Sequence, residues 1–209
     1  MTDFTDLIDG YHRFRREDWA RQRARWAELA EGQSPKVMVI ACSDSRVDPT
    51  QIFDASPGEM FVVRNVANLV PPYEEGGGRH GVSAALEFAV TQLQVPEIVV
   101  IGHESCGGVH AALTDRFGGA EPGHGGFIAH WVDMLDGARA RVVAEHGTGP
   151  DAIRALEHET VRVSLTNLLT FPFVAERVAA GRLRLQGAYF AIRDGVLHVM
   201  DAAGAFAPA

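Results

Sequence analysis

The chain reads VMVIACSDSR at residues 37–46. Five apolar residues end abruptly in a cysteine, and an acid and an arginine follow. A short apolar run bounded by polar turn residues is typical of a strand that is buried on both faces. The carboxyl end of this strand therefore presents Cys42, Asp44 and Arg46 at one edge of a sheet.

A second apolar run, IVVIG at residues 98–102, repeats this design and is followed by HESCGG at residues 103–108. It presents His103 and Cys106 at a sheet edge as well. The chain has two cysteines, and each follows one of these two predicted strands. Ligands of open parallel sheets bind beyond the carboxyl ends of the strands, so we expect the chemistry of this protein there.

Predicted strands and helices alternate along the rest of the chain. This alternation predicts an α/β fold, a mostly parallel β-sheet flanked by helices, with an N-terminal helical arm. Residues 183–187 and 196–200 flank a turn and predict a hairpin that gives the sheet an antiparallel edge. The other predicted elements are a strand at 61–64 and helices at 5–30, 82–93, 127–145, 151–169 and 172–181, with a helix start at Asp48-Pro49.

Composition and charge limit the classes of function that this protein can have. At 209 residues we expect a single domain, and a net charge of -8 argues against nucleic-acid binding. No apolar run approaches the roughly 20 residues of a membrane span, and no secretory signal is visible at the N-terminus. We therefore expect a cytoplasmic protein without a membrane partner, whose cysteines bind metal, act in redox chemistry or are buried and inert.

Arginines crowd the predicted helix at 5–30, although the protein is acidic as a whole. They fit a solvated helix face. They also fit an arm that packs on the acidic surface of another subunit, which the large aromatic residues Trp19 and Trp26 favour.

Two thiolates and one imidazole form the Cys₂His set that holds a catalytic zinc and leaves a fourth position open. The alternative is two buried, inert cysteines beside a histidine at a strand end. Asp44 has two possible roles in such a site. It closes the site as a fourth ligand, or it accepts a hydrogen bond from zinc-bound water while Arg46 holds it by a bidentate contact.

Residues 76–81 match the G-x-G-x-x-G pattern of dinucleotide-binding loops. They follow a proline-containing loop instead of a strand, however. We therefore interpret them as a flexible lead-in to the next helix.

Three motifs in this order and spacing resemble those of the β-class carbonic anhydrases: CSDSR at 42–46, RNVAN at 64–68 and HESCGG at 103–108. The resemblance runs from about Leu7 to Val199. It implies a single domain over residues 1–209, with a dimerisation arm at 5–30 and a zinc-binding core at 36–200. It also implies a homodimer or a higher homo-oligomer.

The resemblance also assigns roles to residues. It implies one Zn²⁺ per subunit on Cys42, His103 and Cys106, with Asp44 and Arg46 as the catalytic pair. Phe88 stands where plant-like members have a tyrosine. The implied substrate-binding residues are Gln33, Phe61, Val66, Phe88 and Gly107.

The activity that this resemblance implies is the reversible hydration of carbon dioxide to bicarbonate and a proton, by attack of zinc-bound hydroxide. A hydrolase of carbon disulfide or carbonyl sulfide, and a non-catalytic zinc-holding or redox-sensing dimer, remain alternatives. The allosteric bicarbonate pocket of some members uses a tryptophan, an arginine and a tyrosine. Val39, Arg64 and Phe190 stand at those positions, so we expect no bicarbonate switch.

Overall fold

A six-stranded mixed sheet forms the centre of the protein in a computed structural model, which describes residues 2–76 and 79–209. The strand order is β2-β1-β3-β4-β5-β6; β2, β1, β3 and β4 run parallel, and β5 and β6 are antiparallel to their neighbours. The predicted parallel sheet with an antiparallel edge is confirmed. The strands are β1 (Val37–Cys42), β2 (Met60–Asn65), β3 (Glu97–His103), β4 (Arg184–Ala191), β5 (Val196–Met200) and β6 (Phe206–Pro208).

Successive residues of β1 pack on opposite sides of the sheet, because side chains alternate along a strand. Met38 and Ile40 belong to one apolar cluster, together with Leu86. Val39 and Ala41 belong to another. Burial on both faces explains why this strand is continuously apolar.

Helices connect the strands within the unit Pro35–Ala209. A 3-10 turn (Val66–Asn68) follows β2, and a π-helical turn (Phe88–Gln92) extends α5. Gly77 and Gly78, inside the predicted lead-in to α5, lie outside the described residues. The helices are α4 (Pro49–Ile52), α5 (Gly81–Glu87), α6 (Gly107–Leu113), α7 (Gly126–Val132), α8 (Asp136–His146), α9 (Pro150–Leu168) and α10 (Pro172–Ala179).

Met1–Ser34 forms a separate compact unit. The prediction of one helix over residues 5–30 was wrong in detail, because the segment is divided into three helices. The helices break at Glu17 (φ -107°, ψ -77°) and at Gln22 (φ -102°, ψ 24°), whose backbone angles depart from ideal helical values. Neither glycine nor proline marks these breaks in the sequence. The helices are α1 (Phe4–Arg16), α2 (Asp18–Arg21) and α3 (Arg23–Glu31).

Across residues 2–76 and 79–209, no helix has the combination of length and apolar character that crossing a membrane requires.

Candidate metal centre

Three ligating side chains converge at the carboxyl ends of two neighbouring strands. Cys42 ends β1 and His103 ends β3, and these strands pair in parallel. Cys106 is the N-cap residue of α6. The ligating atoms of all three residues lie within 4.8 Å of one another, and the residues are buried. The two strand ends therefore meet as the sequence pattern predicts.

The sulfur atoms of Cys42 and Cys106 are 3.9 Å apart. Two Zn–S bonds of about 2.3 Å at the tetrahedral angle place their sulfurs about 3.8 Å apart. A disulfide brings its sulfurs to about 2.05 Å. The spacing of the two sulfur atoms therefore fits a shared metal ion, and both cysteines are free thiols.

The imidazole of His103 is oriented for metal binding. Its Nδ1 lies 2.9 Å from the carbonyl oxygen of Glu104, which accepts a hydrogen bond only if Nδ1 carries the proton. The buried Nε2 then has a free lone pair, and it has no hydrogen-bond partner among the described residues. A backbone carbonyl that fixes the tautomer in this way is usual for metal-binding histidines.

The two thiols share one negative charge readily but not two. The hydrogen bond with Cys106 lowers the pKa of Cys42 to about 4. The same hydrogen bond, together with burial, raises the pKa of Cys106. Forming both thiolates therefore requires a positive charge beside them, and a divalent cation supplies it.

Asp44 is held by Arg46 in a bidentate contact. Arg46 Nε donates to Asp44 Oδ1 at 2.9 Å and Nη2 to Oδ2 at 2.7 Å. These side-chain hydrogen bonds hold the pKa of Asp44 well below its usual range. Within the described part of the chain, the group of converging ligands does not include Asp44. The geometry therefore favours the interpretation in which Arg46 holds this carboxylate beside the metal ligands.

Val66 and Gly107 are neighbours of the candidate metal ligands, since Val66 follows Asn65, which pairs with Cys42. Gly107 directly follows Cys106. Apart from its chain neighbours and the backbone of its own helix, no described atom lies within 4 Å of where its Cβ would be. Val66 is 40% exposed in the turn after β2. A Cβ on Gly108 would lie 2.7 Å from Val66 Cγ1, so the glycine allows α6 to approach this turn.

Phe61 lies near the amino end of β2, away from the candidate metal ligands, and Phe88 packs against it. Their rings stack at 5.9 Å. Phe61 pairs with Met38, whereas Asn65 pairs with Cys42. The four residue steps from Phe61 to Asn65 span about 13 Å along a strand, so Phe61 and the ring stacked on it do not reach the ligand edge of their own chain. Gln33 is exposed and belongs to the unit Met1–Ser34, so its substrate role stays a prediction.

The sequence interpretation missed Glu157 and Tyr189. Glu157 on α9 is 2% exposed, and its Oε1 accepts a hydrogen bond from the backbone N–H of Cys106 at 3.1 Å. Its Oε2 accepts one from the Tyr189 hydroxyl at 2.8 Å. Burial raises the pKa values of both Glu157 and Tyr189.

Glu157 begins a polar stripe on α9 that could have revealed its role in the sequence. Thr160 Oγ1 accepts a hydrogen bond from Asn68 Nδ2, and the Ser164 hydroxyl donates to the carbonyl oxygen of Asn68. These residues recur at helical spacing and are buried. One face of α9 therefore contacts both loops of the metal centre, the one at Cys106 and the one after β2.

Comparison with known proteins connects this arrangement to a family. The sequence model of the family described as carbonic anhydrase matches residues 37–197. A mitochondrial β-carbonic anhydrase 6 from Arabidopsis thaliana is 36% identical over 195 residues, which is 92% of this chain. The chain spans 66% of the length of that relative.

Solved structures share the fold. The β-carbonic anhydrase CcaA superposes with a TM-score of 0.89 at 30% sequence identity, over 98% of this chain and 91% of CcaA. A structure from work on two tetrameric β-carbonic anhydrases of the ascomycete Sordaria macrospora gives a TM-score of 0.81 at 26% identity, over 95% of this chain and 97% of its own.

Proposed function

This chain belongs to the β class of the carbonic anhydrase family, and on that premise we propose that it catalyses the reversible hydration of carbon dioxide to bicarbonate and a proton. The observation that carries the proposal is the buried Cys42, His103 and Cys106 cluster with the Asp44–Arg46 pair beside it. A structural zinc site needs four protein ligands and no such pair.

Cys42, His103 and Cys106 would hold one Zn²⁺ in each subunit. The sulfur spacing, the free Nε2 and the need of two thiolates for a cation support this assignment. When bound, zinc lowers the pKa of a coordinated water and so makes a nucleophile available near neutral pH.

The Asp44–Arg46 pair prepares the attack on carbon dioxide. Because Arg46 keeps Asp44 ionised, the carboxylate accepts the proton of the attacking oxygen as a hydrogen bond and turns a lone pair towards the substrate. The same contacts would keep Asp44 from binding the metal. In this proposal carbon dioxide lies beside Val66 and Gly107.

A homo-oligomer completes the site in this proposal. Phe61 lies about 13 Å along β2 from the ligand edge of its own chain. Phe88, in the turn that extends α5, stacks on Phe61 and is 44% exposed. They therefore form the apolar substrate wall for the metal centre of a second copy. The apolar face of α1, with Leu7 59% and Tyr11 48% exposed, covers a partner as a dimerisation arm. The tetrameric Sordaria relatives support an assembly of two or more chains.

The test combines metal content with carbon dioxide hydration measured across pH by stopped flow. We expect one zinc per chain and a turnover that rises into alkaline pH, because two thiolates donate more charge to zinc than imidazoles do. Cys106→Ser should lose both zinc and activity. Zinc-loaded wild-type protein that hydrates no carbon dioxide at any pH would refute the proposal, and parallel assays with carbonyl sulfide and carbon disulfide would then test the alternative substrates.

A further inference from the structure

The guanidinium of Arg64 reaches over the carboxyl end of β1. Arg64 lies on β2 opposite Ala41, one residue before Cys42. Its Nε donates to the carbonyl oxygen of Cys42 at 2.9 Å, and its Nη2 donates to that of Asp44 at 2.7 Å. One side chain therefore holds the main chain at a metal ligand and at the catalytic carboxylate.

A third contact anchors Arg64 itself. Its Nη1 donates to Asp48 Oδ2 at 2.9 Å, and Asp48 Oδ1 accepts a hydrogen bond from the backbone N–H of Thr50 as the cap of α4. The Arg64 side chain is 27% exposed. The planar fork of an arginine suits such a set of directed contacts, which a lysine cannot reproduce.

The segment that Arg64 holds lies outside regular secondary structure. Ser43, Ser45 and Arg46 are exposed and lie in no helix or strand. The backbone N–H of Ser43 donates to the carbonyl oxygen of Asn65 at 2.8 Å. Within the segment, the backbone N–H of Val47 donates to the carbonyl oxygen of Asp44 at 3.2 Å. Arg46 restrains the carboxylate of Asp44 but is itself 48% exposed. The contacts from β2 tie this backbone to the sheet, at Ser43 and through Arg64.

We propose that Arg64 is a positioning residue, which fixes Cys42 and Asp44 relative to each other and so couples metal retention to the placement of the Asp44–Arg46 pair. The part of this proposal that concerns turnover rests on the proposed function. Arg64 acts through main-chain carbonyls and touches neither the substrate nor the metal. Loss of such an outer contact typically costs 10- to 100-fold in metal affinity or activity.

The test compares Arg64→Ala with Arg162→Ala as a matched control. Arg162 also donates through Nε and Nη2 to a backbone carbonyl, that of Gly204, and through Nη1 to a carboxylate, that of Glu159. Its side chain is 35% exposed, and none of these contacts involves the metal centre. The two variants therefore remove the same kind of interaction from different places.

Three quantities are measured on the zinc-loaded proteins: the rate of zinc release to a coloured chelator, kcat for carbon dioxide hydration, and the recovery of both with added guanidinium. We expect Arg64→Ala to release zinc about 10- to 100-fold faster and to lose a similar factor in kcat. Guanidinium, which can enter the vacated space, should restore part of both. Arg162→Ala should match wild type in zinc release and kcat.

The proposal is overturned if Arg64→Ala matches Arg162→Ala in zinc release and kcat, or if guanidinium restores neither quantity. Should Arg64→Ala not fold, Arg64→Lys replaces it: intermediate losses support the proposal, and wild-type zinc release and kcat overturn it. If wild-type protein binds zinc but hydrates no carbon dioxide, the proposed function fails, while the zinc-release comparison still decides the role of Arg64.

Discussion

At the scale of single residues, Arg46 joins the two loops of the metal centre. Besides its contacts with Asp44, its Nη2 donates to the carbonyl oxygen of Ser105 at 3.0 Å. Ser105 has a φ of 57°, an uncommon backbone conformation for a residue other than glycine. Arg46 thus ties the carboxylate that follows β1 to the strained turn between His103 and Cys106.

Arg46→Ala should therefore abolish most turnover, about 10- to 100-fold in kcat, because Asp44 becomes free to bind the metal. Stopped-flow hydration measured per bound zinc gives the comparison. Arg141→Ala is the control, since Arg141 is 68% exposed and pairs with Glu159. Near-normal turnover in Arg46→Ala would remove Arg46 from the mechanism.

The sequence predicted the convergence of Cys42, His103 and Cys106 because the carboxyl ends of parallel strands meet at one edge of a sheet. Glu157 escaped prediction for a physical reason. It contacts Cys106 across 51 positions of the chain, and a glutamate within a helix ordinarily faces water. Its helical spacing with Thr160 and Ser164 is the one signal in the sequence. What separates this stripe from a solvated helix face is burial, and burial is a property of the packed structure.

At the scale of elements, the approach of α6 to the turn after β2 requires a glycine. A Cβ on Gly108 would lie 2.7 Å from Val66 Cγ1 and 3.2 Å from Ala67 Cβ. We expect Gly108→Ala to lower the free energy of unfolding by about 1–3 kcal/mol, as overpacking does. Urea unfolding of Gly108→Ala and wild type measures this difference in the free energy of unfolding.

Gly107→Ala is the neighbouring control for stability, because a Cβ there meets no described atom within 4 Å. Its unfolding free energy should stay within about 0.5 kcal/mol of wild type, as for most unstrained substitutions. Equal stability of the two variants would mean that α6 can shift without cost.

The packing of α9 against β4 and β6 makes stability depend on pH through His158. Its ring stacks on Phe206 at 4.4 Å and meets the Tyr189 ring edge-on at 4.6 Å. Burial first, and then the charges of Arg162, Arg154 and His198, lower its pKa from 6.5 to about 4, and Glu159 opposes this shift. The folded protein therefore holds a neutral imidazole where the unfolded chain binds a proton.

Because the folded pKa lies below the unfolded one, this stability is present above pH 6.5 and is lost as pH falls towards about 4. Allowing for partial exposure to water, we expect a loss of about 1–2 kcal/mol across this window. Urea unfolding of His158→Gln should show a weaker pH dependence than wild type, whereas the exposed His124→Gln should not. Equal slopes for His158→Gln and wild type would contradict the assignment.

Helices and strands were predicted correctly where the pattern of apolar residues was clear, and they were missed where the element was too short to show a pattern. The apolar runs gave β1 and β3, and the turn at residues 193–195 gave the hairpin of β4 and β5. The strand β6 (Phe206–Pro208) has three residues including a proline, too few to show alternation. Two glycines open α6, and they favour a loop when helix propensity alone is considered.

At the scale of the whole molecule, the proposed shared site can be tested by complementation between two inactive chains. Cys106→Ser removes the metal centre, and Phe88→Asp places a charge in the apolar wall, which is costly next to substrate. A heterodimer of the two then contains one intact centre facing one intact wall. If the wall comes from a partner, random co-assembly should restore about a quarter of wild-type activity.

Each variant alone serves as the control, and differently sized tags verify that heterodimers form. Verified heterodimers without activity would mean that the wall and the metal centre belong to the same chain.

The fold and the β-class family were predicted from sequence and are confirmed. The assembly stays a prediction, because residues that contact each other only across a subunit interface show no regular spacing in the sequence of one chain.

The distance along the chain between the ligands also has a consequence for folding order. Cys42 and Cys106 are separated by 64 positions, so neither strand alone, nor any local hairpin, can assemble the three ligands. Such distant parallel pairing forms late and slowly. A newly made chain can therefore bind the ion with all three ligands only after β1 and β3 have paired. Ion binding would thus report that this folding step is complete.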